Sequence, residues 1–476
     1  MPLVLGIDSS TPATRVELRD ADTGELVGAG HALHPPAHPP RSEQDPAAWW
    51  HALLEARSQT ASPPPAAVAV AAQQHGLVAL DAHHRVIRPA KLADNTEAAA
   101  DAHWLVDKLG GPQAWADAVG TVPVAAMPIA KLSWLHRKEP ESFARITRVV
   151  MPHDWLTGRI VHRYVTDRGD ASGTGYWSPR ERGYRSDVLA LIDRDRDWAG
   201  CFPKVLGPLD PAGQREGVTI APGTGDIMAV ALGVALHPGD VVVSVGTTGV
   251  VATVSIDPTA DASGAVAGFA DATGRYLPLV GVLNATRATD AIARLLHVDE
   301  NGFDQLALQA PPGAGGVVLV PYLDGERTPD RPDATGTLLG LRSNVTPQYV
   351  ARAAVEGVVC GLLDGLDALV AAGVAVDGRL VLVGSGARSH AYQRVLADLA
   401  GRPIEVPRGD PAALGACVQA SAVLAQRPPQ DVAEAWGVGK SRVVEPDEID
   451  AESVRAQFAA ARDREQAGRR VRSAIP

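Results

Sequence analysis

Cysteine is scarce in this chain of 476 residues: Cys201, Cys360 and Cys417 are the only three. Their number is odd, they lie far apart and no CxxC occurs. That argues against a disulfide framework and a structural metal, and for a reducing compartment. Long apolar runs are also missing. No stretch approaches the roughly 18 apolar residues of a membrane span. The N-terminal "MPLVLGIDSS" lacks the basic segment and the apolar length of a signal peptide. A cytoplasmic location is therefore expected. Positive charge is in deficit, with 44 Lys and Arg against 55 Asp and Glu and a net charge of −11. Neither nucleic acid nor an anionic membrane is expected as the main partner, although a local nest of backbone N–H groups can still bind a small anion. No HExxH, GxSxG, zinc-ligand spacing or Walker A sequence occurs, so metalloprotease, serine-hydrolase and P-loop readings have no support.

What is present suits a globular protein. Apolar residues make up 46% and charged residues 21%. The length exceeds what one core organises and suggests two or three domains. "LVLGID", "TRVELRD" and "ADTGELVGAG" read as three strands, and "DPAAWWHALLEA" as a helix capped by Asp with Pro in its first turn. "AAVAVAA" reads as a buried strand, and "LVALDAHHRVIRPA" as a hairpin turning near Asp81 to His84. The second half begins again with a hairpin, "VVVSVGTTGVVATVS". Helical and strand patterns then alternate through "GGVVLVPYL", "TPQYVARAAVEGVVCGLLDGLDALVAAG", "RLVLVGSG", "SHAYQRVLADLAG", "PIEV" and "DPAALGACVQASAVLA", which indicates α/β layers. Two halves opening on hairpins with hydroxyl-rich turns suggest a duplicated fold facing a shared cleft. The break is expected near Leu236 to Asp240, giving domains 1–238 and 239–476. "ASPPPAA" and "QAPPGAGG" read as surface loops. The charged tail from Glu445 to Pro476 reads as a solvated helix with a frayed end.

Several constellations could carry chemistry. "PGTGDIMAVALG" holds a single charge, Asp226, among glycines and small apolar residues. It suits a helix N-cap or a catalytic base in a turn that a substrate can approach. In "GIDSSTPATR", Asp8 ends a strand and Ser9, Ser10, Thr11 and Thr14 crowd the turn. This is either a polar hairpin turn or a phosphate site with a carboxylate that holds Mg²⁺ through water. Gly246, Thr247, Thr248 and Gly249 offer a second such turn. "VLVGSGARSH" is strand, Gly-rich turn and helix, an arrangement that suits a nucleotide but is also common in αβ units. Gln73, Gln74 and His75 follow a buried strand, where they serve either the structure or sugar hydroxyls. In "PYLDGERTPD", Asp324, Glu326, Arg327 and Asp330 read mainly as a self-satisfied ion-pair loop.

Taken in order, "GIDSST", "SEQDPAAWW", "QQHG", "AKLSWL", "MPHDWLTGR", "VTDRGDASGTGYW", "GTGD", "SVGTTG", "PYLDGERTP" and "GSGARSHAYQRVLADLAG" resemble the FGGY carbohydrate kinases, and most closely bacterial xylulokinases. The resemblance covers nearly the whole chain. It implies two RNase H-like domains of the actin and hexokinase type around a central cleft for ATP, Mg²⁺ and sugar. Asp226 then resembles the general base, and Asp8 the carboxylate that coordinates Mg²⁺ through water. The sugar site maps onto Gln74, His75, Ala93, Asp94, Asp226 and Ile227. The nucleotide site maps onto Ser10, Thr11, Thr14, Arg15, Gly246, Thr247, Thr248, Gly384, Ser385, Gly386, Ala387 and Arg388. Three places depart from the family pattern. Ile227 follows the catalytic Asp where xylulokinases have Asn. Ala93, in "LADN", replaces the Trp of "LWND". Pro12 and Ala13 stand where hydroxyl or amide residues are common.

The reading is an ATP-dependent kinase that converts D-xylulose to its 5-phosphate. The alternatives are a kinase for another ketose, a deoxyketose or a polyol, and a catalytically silent sugar- or nucleotide-binding member. A small sugar is the expected partner, and a homodimer is the assembly entertained.

Overall fold

The computed structural model describes residues 2–38, 40–60 and 63–473. Ala61 and Ser62 of the "ASPPPAA" loop, and residues 474–476 of the charged tail, lie outside the described residues. The chain forms two compact units. The first comprises Met1–Pro238, Val254–Pro278 and Arg408–Lys440, and the second Gly239–Thr253, Leu279–Pro407 and Ser441–Pro476. One passage between units falls at Pro238/Gly239. Because the chain returns, the units are not the continuous segments 1–238 and 239–476.

The first unit is built on a sheet of strands β1 (Leu3–Ser9), β2 (Ala13–Asp20), β3 (Leu26–Leu33), β4 (Ala67–Ala72), β5 (Gly213–Arg215) and β6 (Val218–Ile220), in the order β5-β6-β4-β1-β2-β3. β1, β2 and β3 form an antiparallel meander, and β4 runs parallel to β1 and to β6. Strands β1 and β4 are buried along their whole length. Successive side chains point to opposite faces, so the two faces collect different residues. Leu3, Leu5, Ile7, Val68 and Val70 share one core with Trp49, Leu53 and Trp155. Val4, Ala67, Ala69 and Ala71 face Ala412, Ala416, Cys417 and Ala420 of the Pro411–Ala425 helix. This second face is lined by small residues because the helix comes very close. A Cβ on Gly6 would overlap the Ala413 carbonyl.

The second unit repeats this plan with β7 (Val241–Val245), β8 (Gly249–Thr253), β9 (Tyr276–Val282), β10 (Leu380–Val383), β11 (Ile404–Pro407) and β12 (Ser441–Val444), in the order β9-β8-β7-β10-β11-β12. β7 is antiparallel to β8 and parallel to β10, β10 is parallel to β11, and β12 is antiparallel to β11. The four strands β3-β2-β1-β4 match β9-β8-β7-β10 in order and direction, the RNase H-like pattern; the next two agree in direction, but the edge strand β5 precedes its neighbour β6 in the chain whereas β12 follows β11, and Ala267–Ala270 adds a strand beside β9. The 25-residue helix Pro347–Ala371, capped by the Thr346 hydroxyl, packs on this sheet. "GGVVLVPYL" yields the strand Val318–Val320, which pairs with Thr337–Leu339 outside the main sheet. No helix among the described residues is long and apolar enough to cross a membrane.

Candidate active site

In the first unit, Asp226 opens the Asp226–Gly233 helix, but Gly225 is its N-cap. The cap reading of Asp226 therefore does not hold, and its carboxylate accepts from the adjacent Ile227 N at 2.8 Å. The Gly-rich approach has a packing reason, since a Cβ on Gly225 would lie 2.7 Å from Gln74 Cγ. Asp226 keeps part of its surface open, yet protein surrounds the carboxylate. Burial pushes it up to about 7, against the Ile227 N–H and with a further push from the Asp170 carboxylate. A carboxyl titrating near neutrality is suited to taking up a proton.

Asp8 lies near the end of β1 and is 2% exposed. Ser10 Oγ donates to Asp8 Oδ1 at 2.7 Å. Arg15, opposite Asp8 in the hairpin register, places Nη1 3.8 Å from Asp8 Oδ2 and Nε 3.4 Å from Asp410 Oδ2. Burial holds the Asp8 carboxyl well above the carboxylate range, and the negative charges of Asp410 and Asp226 add to this. One distant guanidinium does not neutralise these carboxylates, so the charge balance favours a further cation beside Asp8. Among the described residues no group of three or more His, Cys, Asp and Glu could hold a metal. Mg²⁺ commonly binds through one or two carboxylates, waters and substrate phosphates, and Asp8 fits that mode.

The remaining expected residues divide. Ser10 and Thr11 are half-buried at the turn, with Thr11 Oγ1 donating to Gln73 Oε1 at 3.0 Å. Thr14 pairs with Ser9, so its side chain lies on the sheet face opposite those of Asp8 and Arg15. Fully buried, its hydroxyl is spent on Ser9 Oγ at 3.2 Å and His34 Nε2 at 2.8 Å. Gln74 is buried with Nε2 lacking a hydrogen-bond partner. His75 has a left-handed backbone, φ 64°, and its Nδ1–H donates to Gly173 O at 3.0 Å. Ala93 is half-buried, and Asp94 and Ile227 are buried.

In the second unit, the turn of the β7–β8 hairpin carries Gly246, Thr247 and Thr248, with Thr247 exposed. Gly384, Ser385, Gly386, Ala387 and Arg388 follow β10 and lead to the His390–Ala400 helix, capped by the Ser389 hydroxyl. These two turns touch. Gly384 has φ 89°, and a Cβ there would lie 2.5 Å from Val245 O. A Cβ on Gly386 would lie 2.5 Å from Val245 Cγ1. In the "PYLDGERTPD" loop, Glu326 takes hydrogen bonds from Leu283 N, Arg327 N and Asn284 Nδ2, which a reading of ion pairs alone does not contain.

A family model for the N-terminal domain of FGGY carbohydrate kinases matches residues 3–233, and one for the C-terminal domain matches residues 241–424. The chain belongs to the FGGY family of carbohydrate kinases. It is 41% identical over 461 residues to a xylulose kinase of Streptomyces coelicolor, covering 94% of each chain. It is 40% identical to a xylulose kinase of Streptomyces rubiginosus, over 95% of this chain and 94% of that one. Among solved structures, a xylulose kinase from Bifidobacterium adolescentis superposes with a TM-score of 0.80 at 37% identity, covering 97% of this chain and 99% of that one. The two units thus carry the mixed α/β fold of FGGY kinases.

Sequence reasoning missed Asp410, His153, Asp154, Asp167, Asp170 and Lys131 as members of this neighbourhood. Lys131, fully buried, donates to His75 O at 2.7 Å and Lys91 O at 3.2 Å. The motifs "AKLSWL", "MPHDWLTGR" and "VTDRGDASGTGYW" carry most of these side chains. The available signal was polar residues set within apolar stretches.

Proposed function

We propose that this FGGY kinase transfers the γ-phosphoryl group of ATP to D-xylulose, giving D-xylulose 5-phosphate. The observation that carries the chemistry is Asp226, a shielded carboxyl pushed up to about 7 at the head of a helix. Likeness to xylulose kinases at 40 and 41% identity supports the substrate.

In this reading Asp226 accepts the proton of the attacking sugar hydroxyl. Gln74, whose buried Nε2 has a donor to give, binds a sugar oxygen, with His75 and Asp94 beside it. The unit that holds these residues takes the sugar. The other unit takes the nucleotide on the Gly246–Gly249 and Gly384–Arg388 turns, where glycine lets the backbone come close to phosphate. Asp8 would hold Mg²⁺ through water, and when bound the ion neutralises phosphate charge. Positioning and charge stabilisation are most of what phosphoryl transfer asks of a protein.

The test is ADP release measured with a panel of pentoses, ketoses and polyols. Turnover highest on D-xylulose is expected. Preference for another sugar overturns the substrate, and no turnover with any of them overturns the kinase reading.

A further inference from the structure

Beside Asp226 lies a cluster of titratable groups that the proposed chemistry leaves without a role. His153 is 0% exposed, Asp154 and Asp170 are 1% and Asp167 is 4%. His153 Nδ1–H donates to Asp170 Oδ2 at 2.7 Å. On its other side, Nε2 lies 3.1 Å from Asp154 Oδ1 and 4.0 Å from Asp167 Oδ1. The nearer of these contacts is out of line for a hydrogen bond. The cluster also grips the turn that delivers Asp226. A Cβ on Gly223 would lie 2.6 Å from His153 Cδ2, and Thr224 Oγ1 donates to Asp167 Oδ2 at 2.7 Å. Asp167 also caps the Arg168–Ser172 helix, accepting from Gly169 N and Asp170 N.

Three buried carboxyl groups around one imidazole are relieved by protonation or by opposite charge: burial raises Asp154 to about 7 and also raises Asp167, while the imidazole supplies a positive partner. Burial works against a charged His153, but Asp154, Asp170 and Asp167 outweigh it and raise the imidazole to about 9. Asp170 matters most for the reaction, because its charge reaches Asp226 and its Oδ1 is buried without a hydrogen-bond partner.

We infer that His153 is a positioning residue: as an imidazolium it neutralises Asp170, and so allows Asp226 to stand ionised as a base. The inference rests on the reading of Asp226 as that base. The groups facing the pair are Asp154 from the His153 helix and Asp167 from the segment that carries Asp170. The phenol of Tyr176 faces both Asp154 and Asp170 and that of Tyr184 faces Asp154, and burial keeps both neutral. Asp8 is the other charge felt near Asp226. Loss of the imidazolium leaves Asp170 uncompensated and favours the protonated form of Asp226. Loss of the Asp170 charge does the opposite. Two residues joined by one hydrogen bond should therefore move the titration of Asp226 in opposite directions.

The test compares His153→Asn and Asp170→Asn by kcat/KM for the sugar against pH, with thermal unfolding of both. The acid limb should move up in His153→Asn and down in Asp170→Asn, each by about one pH unit. A role confined to packing lowers the whole profile without moving the limb; limbs that stay in place, or move the same way, overturn the inference. If His153→Asn does not fold, His153→Gln takes its place, and an upward limb shift in that variant is still required. Asp226→Asn, measured alongside, separates the two ideas. If it turns over normally, the base reading fails; if it is inactive while the limbs stay put, only the role of His153 fails.

Discussion

A Cβ atom on Gly415 would overlap the carbonyl oxygen of Ala229. The Asp226–Gly233 helix and the Pro411–Ala425 helix therefore cross backbone to backbone, with Gly233 meeting Pro411 at the same crossing. Backbone cannot step aside as a flexible side chain can. Gly415→Val should force the helices apart and destabilise the first unit by about 1–3 kcal/mol or more, the usual cost of overpacking. Because Asp226 rides on the displaced helix, kcat should fall as well. Denaturant unfolding checks this, and an unchanged midpoint would show that the crossing is not tight.

Asp226→Asn keeps the shape and removes the base. General-base catalysis typically contributes about 10²–10⁴-fold, so kcat should drop by that order. Stability should move the other way. The folded-state value of about 7 lies above the ordinary value of 3.8, so the folded protein holds this proton more tightly than the unfolded chain does. That advantage is complete below about pH 4 and is lost as pH rises to about 7. The Asn variant avoids the loss and should gain stability relative to wild type across that window. Melting curves at several pH values read it, and a variant that weakens as pH rises would contradict the assignment.

Wild-type kcat/KM for the sugar should itself fall on the acid side with a midpoint near the Asp226 value of about 7. A profile flat from about pH 5 to about pH 8 would mean that another group takes the proton.

Asp8→Ala should raise the Mg²⁺ concentration needed for half-maximal turnover and lower the maximum, while sugar affinity stays close to wild type. Asp8 is engaged by Ser10 and Arg15, and Arg15 also reaches Asp410. A magnesium titration together with sugar binding by calorimetry makes the comparison. Normal metal dependence in the variant would show that Asp8 is misassigned.

Ala93 and Ile227 stand where the resemblance to xylulokinases implies Trp and Asn. A lost hydrogen bond to a buried hydroxyl costs roughly 1–3 kcal/mol, or about tenfold to a hundredfold in binding. Ala93→Trp with Ile227→Asn should raise kcat/KM for D-xylulose and lower it for a deoxyketose. If both values stay as they were, the two positions do not line the sugar site.

Much of this was legible beforehand, for local reasons. Hairpins at "GIDSSTPATR" and "SVGTTGV" follow from β-rich runs around turn residues, and both form. The Asp cap read in "DPAAWWHALLEA" forms, with Asp45 capping the Pro46–Ser58 helix. Thr14 differs from the other hydroxyls of its turn because side chains alternate along a strand. Its register with Ser9 turns it to the face opposite Asp8.

The sequence by itself determined the hairpins that open each half, the helix of "DPAAWWHALLEA" and the alternating elements of the second half, because periodicity and turn chemistry act over a few residues. It also determined the family, through ordered motifs that run the length of the chain. Tertiary structure alone decided that the Pro411–Ala425 helix belongs with β1, that Asp410 comes to Arg15, and that His153 sits among three carboxylates. These meetings join residues up to about 400 positions apart. They depend on which small side chains let two backbones close together, and no local pattern carries that information.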